Sequence, residues 1–271
     1  MEASGLHYAY ADGTVALDGV SLSVPRGQRV AMMGANGAGK STFLLHLNGV
    51  YRVQRGTLRI LGQDTRQAPE SWLRSSVGLV FQDPDNQVFA PSVADDVAFG
   101  PLNLGLDDTQ VQRRVRAALQ AVGMEHLARK APHHLSFGQK KRVAIAGVLA
   151  MQPEIIVLDE PMAFLDPQGQ QEVLDIMTEL HAQGKTIIVA THDVDMACAW
   201  ADQVLILEQG HLLVSGGPEI LTDPELTSQA GLRLPLIAQV FAAVPQLDTV
   251  GARPRTVSQA AALLQKIMAC Q

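Results

Sequence analysis

The sequence predicts an α/β protein wound around a parallel sheet, and three observations carry that expectation. Short β-branched or apolar runs alternate with helical patterns along most of the chain, as strand–helix crossover units do. The first strong run, Arg29-Val30-Ala31-Met32-Met33, opens into a glycine-rich loop followed by a helical pattern. A later run, Ile155-Ile156-Val157-Leu158, is apolar throughout, as a strand buried on both faces must be, and ends abruptly in Asp159 and Glu160.

In chain order, Arg29-Met33, Thr57-Leu61, Val77-Phe81, Ile155-Leu158, Thr186-Ala190 and Val204-Leu207 read as strands. Asn103 to Gln152 departs from the alternation and reads as an all-helical insert. Asp107-Asp108-Thr109 caps a helix running to about Val122, and a second helix follows Leu135-Ser136, starting near Lys140. After Gly216-Gly217-Pro218 the strands stop. Pro235 to Phe241 and Thr256 to Met268 look helical, with Val257, Ala261, Leu264 and Met268 spaced for one apolar face. Two divisions follow: a main domain over 1–217 and a small, mainly helical appendage over 218–271. The appendage face serves either packing within the chain or contact with a second copy.

Composition narrows the function classes. With 47% hydrophobic and 18% charged residues the chain is ordinary globular material. A formal net charge of -6 argues against bulk attraction to nucleic acid, so no nucleic-acid partner is expected. Cys198 and Cys270 lack metal-ligand spacing, which suggests neither a disulfide framework nor a zinc site. No apolar run reaches the roughly 18 residues of a membrane span, so any membrane role comes through a partner.

Gly34-Ala35-Asn36-Gly37-Ala38-Gly39-Lys40-Ser41 fits G-x-x-x-x-G-K-[ST] between a strand and a helix. The glycines let backbone N–H groups converge on phosphates, and the helix points its positive end at them. Lys40 supplies a charge to the β/γ-phosphates, Ser41 offers a hydroxyl to Mg²⁺, and Thr42 joins the expected nucleotide contacts. At the carboxyl end of its strand, Asp159 would hold magnesium, and Glu160 would polarise the water that attacks the γ-phosphate.

Between these motifs stands Leu135-Ser136-Phe137-Gly138-Gln139, and here the chain resembles the ATP-binding-cassette (ABC) family. The family consensus is Leu-Ser-Gly-Gly-Gln, so Phe137 departs from it while Ser136, Gly138 and Gln139 remain. Further matches fall in family order: Gln82 resembles the glutamine that senses magnesium and the transport partner. Leu165-Asp166 resembles the loop that crosses a dimer interface, and His192 the histidine that contacts the γ-phosphate. Tyr10 resembles the aromatic that stacks on adenine, with Tyr8 its nearest rival. The resemblance implies an ABC nucleotide-binding domain: a P-loop core, an antiparallel β subdomain and an α-helical subdomain over about 83–152. It also implies ATP and Mg²⁺, with Lys40, Gln82, Glu160 and His192 catalytic, and Ser41, Gln82 and Asp159 on the metal.

In the family arrangement Ser136 completes the site of a second molecule, so a head-to-tail dimer is implied. Intact motifs favour a homodimer, although a paralogue partner stays open. Phe81-Gln82-Asp83-Pro84-Asp85-Asn86-Gln87-Val88-Phe89 resembles the ATPase subunits of energy-coupling-factor importers, and Lys140-Lys141-Arg142-Val143-Ala144-Ile145-Ala146-Gly147 is most similar to the cobalt-importer type. That implies a transmembrane scaffold docking near Gln82-Phe89, a membrane substrate-binding subunit, and a place on the cytoplasmic face of the cell membrane. Asp83 and Asp85 either line a groove for a basic helix of the scaffold or form a solvated acidic loop. The competing reading is a soluble ABC ATPase of cluster assembly or the ribosome.

Overall fold

A computed structural model describes residues 1–244 and 254–269. Cys270 and 245–253 of the expected appendage lie outside them. Strands β1 (Glu2–Ala9), β2 (Val15–Ser23), β4 (Arg55–Ile60) and β5 (Gln63–Asp64) form an antiparallel sheet in the order β2-β1-β4-β5. Strands β3 (Arg29–Met33), β6 (Val77–Val80), β7 (Ile155–Asp159), β8 (Thr186–Ala190), β9 (Gln203–Glu208) and β10 (His211–Gly216) form the second, in the order β10-β9-β3-β8-β7-β6. All its pairings are parallel except the β9–β10 hairpin at one edge. The expected Thr57-Leu61 strand therefore sits in the antiparallel sheet. It ends at Ile60, because Leu61 (φ 47°) and Gly62 (φ 84°) turn the chain into β5.

Alternation within each parallel strand divides two cores between the faces of the large sheet. Ala31, Ile156, Leu158, Val189 and Ile206 face a core shared with helices. Val30, Met32, Val157, Ile188 and Leu205 face one shared with Leu6, Leu17 and Leu58 of the antiparallel sheet. Helix α1 (Lys40–Leu47) enters this second core through Phe43, Leu44 and Leu47, and α2 (Glu70–Ser76) through Leu73.

The first core receives α3 (Val93–Asn103), α4 (Asp108–Ala121), α5 (Phe137–Ala150), α6 (Pro167–Ala182) and α7 (Val194–Trp200). The helical insert thus begins earlier than Asn103. Ser92 caps α3, its hydroxyl accepting from Asp95 N, and Pro101 lies inside that helix. Asp107 caps α4 as the sequence predicts, accepting from Gln110 N at 2.9 Å. Helix α5 begins at Phe137 rather than near Lys140, because Ser136 and Gln139 form a reciprocal capping box.

After β10 come α8 (Pro224–Gln229), α9 (Leu236–Ala242) and a terminal helix, Val257–Ala269. Val257, Leu264 and Met268 are exposed on that helix, while Ala260, Leu263 and Ile267 are half-buried. Packing within the described residues therefore does not explain the expected apolar face.

Candidate functional site

Parallel strands present their carboxyl ends along one edge of the large sheet, the edge at which open α/β sheets bind ligands. Gly34 follows β3, Phe81-Gln82 follows β6, Glu160 follows β7 and Thr191-His192 follows β8. Register holds three of these exits together: Glu160 N donates to Ala190 O at 2.9 Å, and Thr191 N to Met32 O at 3.1 Å.

The glycine-rich loop owes its path to two tight approaches. A Cβ on Gly34 (φ 141°) would stand 2.1 Å from Leu207 O, and one on Gly39 (φ 101°) 2.5 Å from Ala16 O. Gly39 is also the residue before α1 and offers no side-chain cap, so the first N–H groups of that helix stay open at the loop. Lys40 is buried, and its Nζ donates to Gly34 O at 2.7 Å and Ala35 O at 3.0 Å. Burial pushes the Lys40 ammonium below its ordinary pKa, against the opposing pull of Glu160 and Asp159.

Burial raises the Asp159 pKa above its ordinary value, against the opposing pull of the nearby Ser41 hydroxyl and of Lys40. Next to it, Glu160 has a positive φ of 43° and is largely enclosed, while His192 stands mostly in solvent. His192 Nδ1 lies 2.8 Å from Glu160 Oε1, and Thr191 Oγ1 donates to Glu160 Oε2 at 3.4 Å.

A cavity of about 400 Å³ joins these groups: Tyr10, Asn36, Gly37, Gly39, Lys40, Ser41, Thr42, Gln82, Asp159, Glu160 and His192 all line it. Gly34, Ala35 and Ala38 do not: Gly34 and Ala38 are buried beneath the loop, and Ala35 is exposed outside the cavity. Thr14, Val15 and Ala16 line the cavity too, and the sequence reading missed them; the Asp12-Gly13 turn after Tyr10 is the only signal that this hairpin folds back over the site. Tyr10 rather than Tyr8 faces the cavity, with its hydroxyl 2.6 Å from Thr42 Oγ1. Tyr8 stacks on Tyr51 at 4.9 Å and packs against the core.

Ser136, Phe137, Gly138, Gln139 and Asp166 line a different cavity, of about 390 Å³, which shares no residue with the first. Ser136 Oγ accepts from Gln139 N, and Ser136 N donates to Gln139 Oε1. Its hydroxyl proton stays available, since the cap uses only an acceptor position. Asp166 caps α6 through Gly169 N at 2.7 Å. Phe137 packs edge-on against Phe164, their centroids 5.8 Å apart. A larger cavity, about 690 Å³, lies near the amino end of β7 among residues such as Arg114, Glu154 and Lys185, with none of the motif residues.

The two acidic residues after Gln82 are engaged within the chain. Asp85 Oδ1 pairs with Lys140 Nζ at 2.6 Å, and Asp83 accepts from Asp85 N to cap the short turn Pro84–Asn86. Exposed Phe89 and Phe99 meet edge-on at 5.0 Å nearby, with exposed Leu102 on the same helix as Phe99.

Residues 17–163 match the ABC transporter family. The chain is 52% identical over 241 residues to the energy-coupling factor transporter ATP-binding protein EcfA of Carboxydothermus hydrogenoformans, covering 89% of each chain. Among solved structures it is similar to cbiO1 from Clostridium perfringens, part of the ABC transporter complex cbiONQ. There the TM-score is 0.76 and the identity 41%, over 89% of this chain and 98% of that one. It is also similar to the ATP-binding cassette MJ0796, in a dimeric post-hydrolysis state bound to ADP and Pi. That match has a TM-score of 0.73 and 27% identity, over 80% of this chain and 98% of that one.

Proposed function

The chain belongs to the ABC transporter family, within it to the energy-coupling factor transporter ATP-binding proteins, and we propose that it works as a head-to-tail dimer with MgATP at both interface sites. One observation carries the dimer. Lys40, Gln82, Asp159, Glu160 and His192 line one cavity, Ser136 and Asp166 line another, and no residue is common to both. Hydrolysis at the first therefore draws Ser136 from a second chain.

In this reading Tyr10 stacks on adenine, and the open N–H groups of the loop and α1 receive the phosphates. Lys40 leaves its carbonyl partners to meet the β/γ-phosphates. Ser41, Gln82 and Asp159 supply a hydroxyl, an amide carbonyl and one carboxylate. Such hard oxygen donors, few in number, suit Mg²⁺, which keeps waters and substrate phosphates as its other ligands. When bound, that ion neutralises charge developing on the phosphoryl oxygens. Glu160 accepts the hydrogen bond of the attacking water, and His192 holds the Glu160 carboxylate and faces the γ-phosphate. Ser136 of the second copy, at the amino end of its α5, adds a hydroxyl and helix-end dipole where ATP differs from ADP. ATP thus closes the dimer and hydrolysis reopens it.

The cassette drives an importer of the energy-coupling-factor type from the cytoplasmic face of the membrane, held there by a transmembrane scaffold and a membrane substrate-binding subunit. The scaffold docks beside Gln82-Phe89, where the Phe89, Phe99 and Leu102 surface is a better anchor than Asp83 and Asp85. Cobalt or a related transition metal ion is the proposed cargo, supported by the resemblance of residues 140–147 to the cobalt-importer type. Residues 1–217 form the ATPase domain and 218–271 the appendage. Light scattering on the Glu160→Gln chain tests the dimer: a dimer with MgATP and a monomer without it are expected, and a monomer under both conditions contradicts the reading.

A further inference from the structure

Lys141 is wholly buried on α5, one turn from the cap at Ser136. A buried ammonium is costly unless its hydrogen bonds are met, and no carboxylate among the described residues pairs with this one. Its Nζ donates instead to two consecutive carbonyls, Phe81 O at 3.3 Å and, closely, Gln82 O. Burial lowers its pKa to about 8, while the charges of Asp83, Asp159 and Glu160 work in the opposite sense. Packing alone would be served by methionine. The ammonium therefore has a specific task, and the two carbonyls identify it.

Further contacts join the same pieces. The Phe137 ring centroid lies 5.6 Å from Lys141 Nζ, and that ring meets Phe164 of the loop between Glu160 and Asp166. On the outer side Lys140 holds Asp85. Gln87 accepts from Phe81 N at 3.0 Å and donates to Leu79 O at 3.2 Å. The segment 81–87 is thus fastened to α5 from within and from without, and Lys141 is the fastening nearest Gln82.

We propose that Lys141 is a positioning residue for ATP hydrolysis, holding the main chain of Gln82 to the helix that begins at Ser136, so that any displacement of the Gln82–Phe89 segment moves both together. The inference rests on the catalytic reading of Gln82 given above. It makes Gln82 at one site and Ser136 at the other report the same partner movement, since they stand on opposite sides of one rigid link.

The test is a double-mutant cycle on the full-length chain, comparing Lys141→Met, Gln82→Ala and the pair. Lys141→Met is expected to lower kcat about 10-fold or more with ATP affinity nearly unchanged, because it shifts a positioned group and leaves the phosphate loop intact. Amide exchange at Gln82 and Asp83 should accelerate in Lys141→Met while the middle of α5 stays protected. In the Gln82→Ala background Lys141→Met should cost less than about 2-fold further, as coupled positions do. An equal loss of kcat in both backgrounds overturns the inference and leaves the reading of Gln82 standing. If Gln82→Ala alone leaves kcat unchanged, that reading fails and the inference with it. Should Lys141→Met fail to fold, Lys141→Gln enters the same cycle with the same expected non-additivity.

Discussion

His192 Nδ1 stands 2.8 Å from Glu160 Oε1, joining the exits of β7 and β8 by a side-chain contact directly above their backbone register. Glu160 reaches it from a left-handed backbone conformation that a non-glycine residue adopts only when its surroundings hold it there. In the proposed chemistry the contact aims the carboxylate at the attacking water. Glu160→Gln should lower kcat by about 10²–10⁴-fold while MgATP binding persists. His192→Ala should lower kcat with little change in ATP affinity. Steady-state hydrolysis and equilibrium nucleotide binding measure both.

The loop glycines should divide by what surrounds them. Gly34→Ala sets a Cβ against Leu207 O and should destabilise the fold by about 3 kcal/mol or more. Gly37→Ala (φ 80°) meets no atom within 4 Å, leaving only the backbone cost of about 1–2 kcal/mol. Denaturant midpoints of the two variants give the comparison.

Phe164 is 80% exposed at a positive φ of 62°, beside the cavity that contains Ser136 and Asp166. A large exposed aromatic at the proposed dimer face should be covered when two copies close. Phe164→Asp in the Glu160→Gln background should abolish the MgATP-dependent dimer without lowering Tm of the isolated chain. Analytical ultracentrifugation with and without MgATP reads the dimer, and calorimetry the fold.

Asp202 clamps the start of β3. Arg29 donates to it from Nη2 at 2.6 Å, from Nε at 3.1 Å and from its backbone N at 3.0 Å. These bonds, led by the guanidinium, hold the carboxyl below its ordinary pKa. A depressed folded-state value stabilises the fold fully above the unfolded pKa, and the contribution fades as pH falls through the folded one. Asp202→Asn should therefore cost about 1–2 kcal/mol at pH 7, after allowance for partial solvent exposure, and progressively less below about pH 4. Urea unfolding of both chains across that range tests the sign.

Much of the site was legible because its chemistry demands fixed spacing. A loop that turns on glycines, a lysine and a hydroxyl at the next helix start, and two acids at a strand end can be read without coordinates. The parallel strands were equally plain, since burial on both faces makes them continuously apolar. The hairpin strands were not. Strands β1, β2 and β10 carry mixed exposure, so no continuous apolar run announces them, and their strand character shows only in pairing: β2 on β1, β1 also on β4, and β10 on β9. Lys141 was hidden for a related reason: within Lys140-Lys141-Arg142 it reads as one charge of a solvated helix face, and only the packing of α5 on the Gln82 segment buries it. The Asp85–Lys140 ion pair was hidden for the same reason, because the two residues stand 55 apart in the chain.

Affinity purification of tagged Glu160→Gln chain from detergent-solubilised membranes, with MgATP present and mass spectrometry of what co-purifies, bears most directly on the proposed role as an importer motor. The account predicts recovery of a small set of polytopic membrane proteins, with Phe89→Asp and Phe99→Asp releasing them while ATP still dimerises the chain. Recovery of soluble partners alone, such as ribosomal or cluster-assembly proteins, would contradict it.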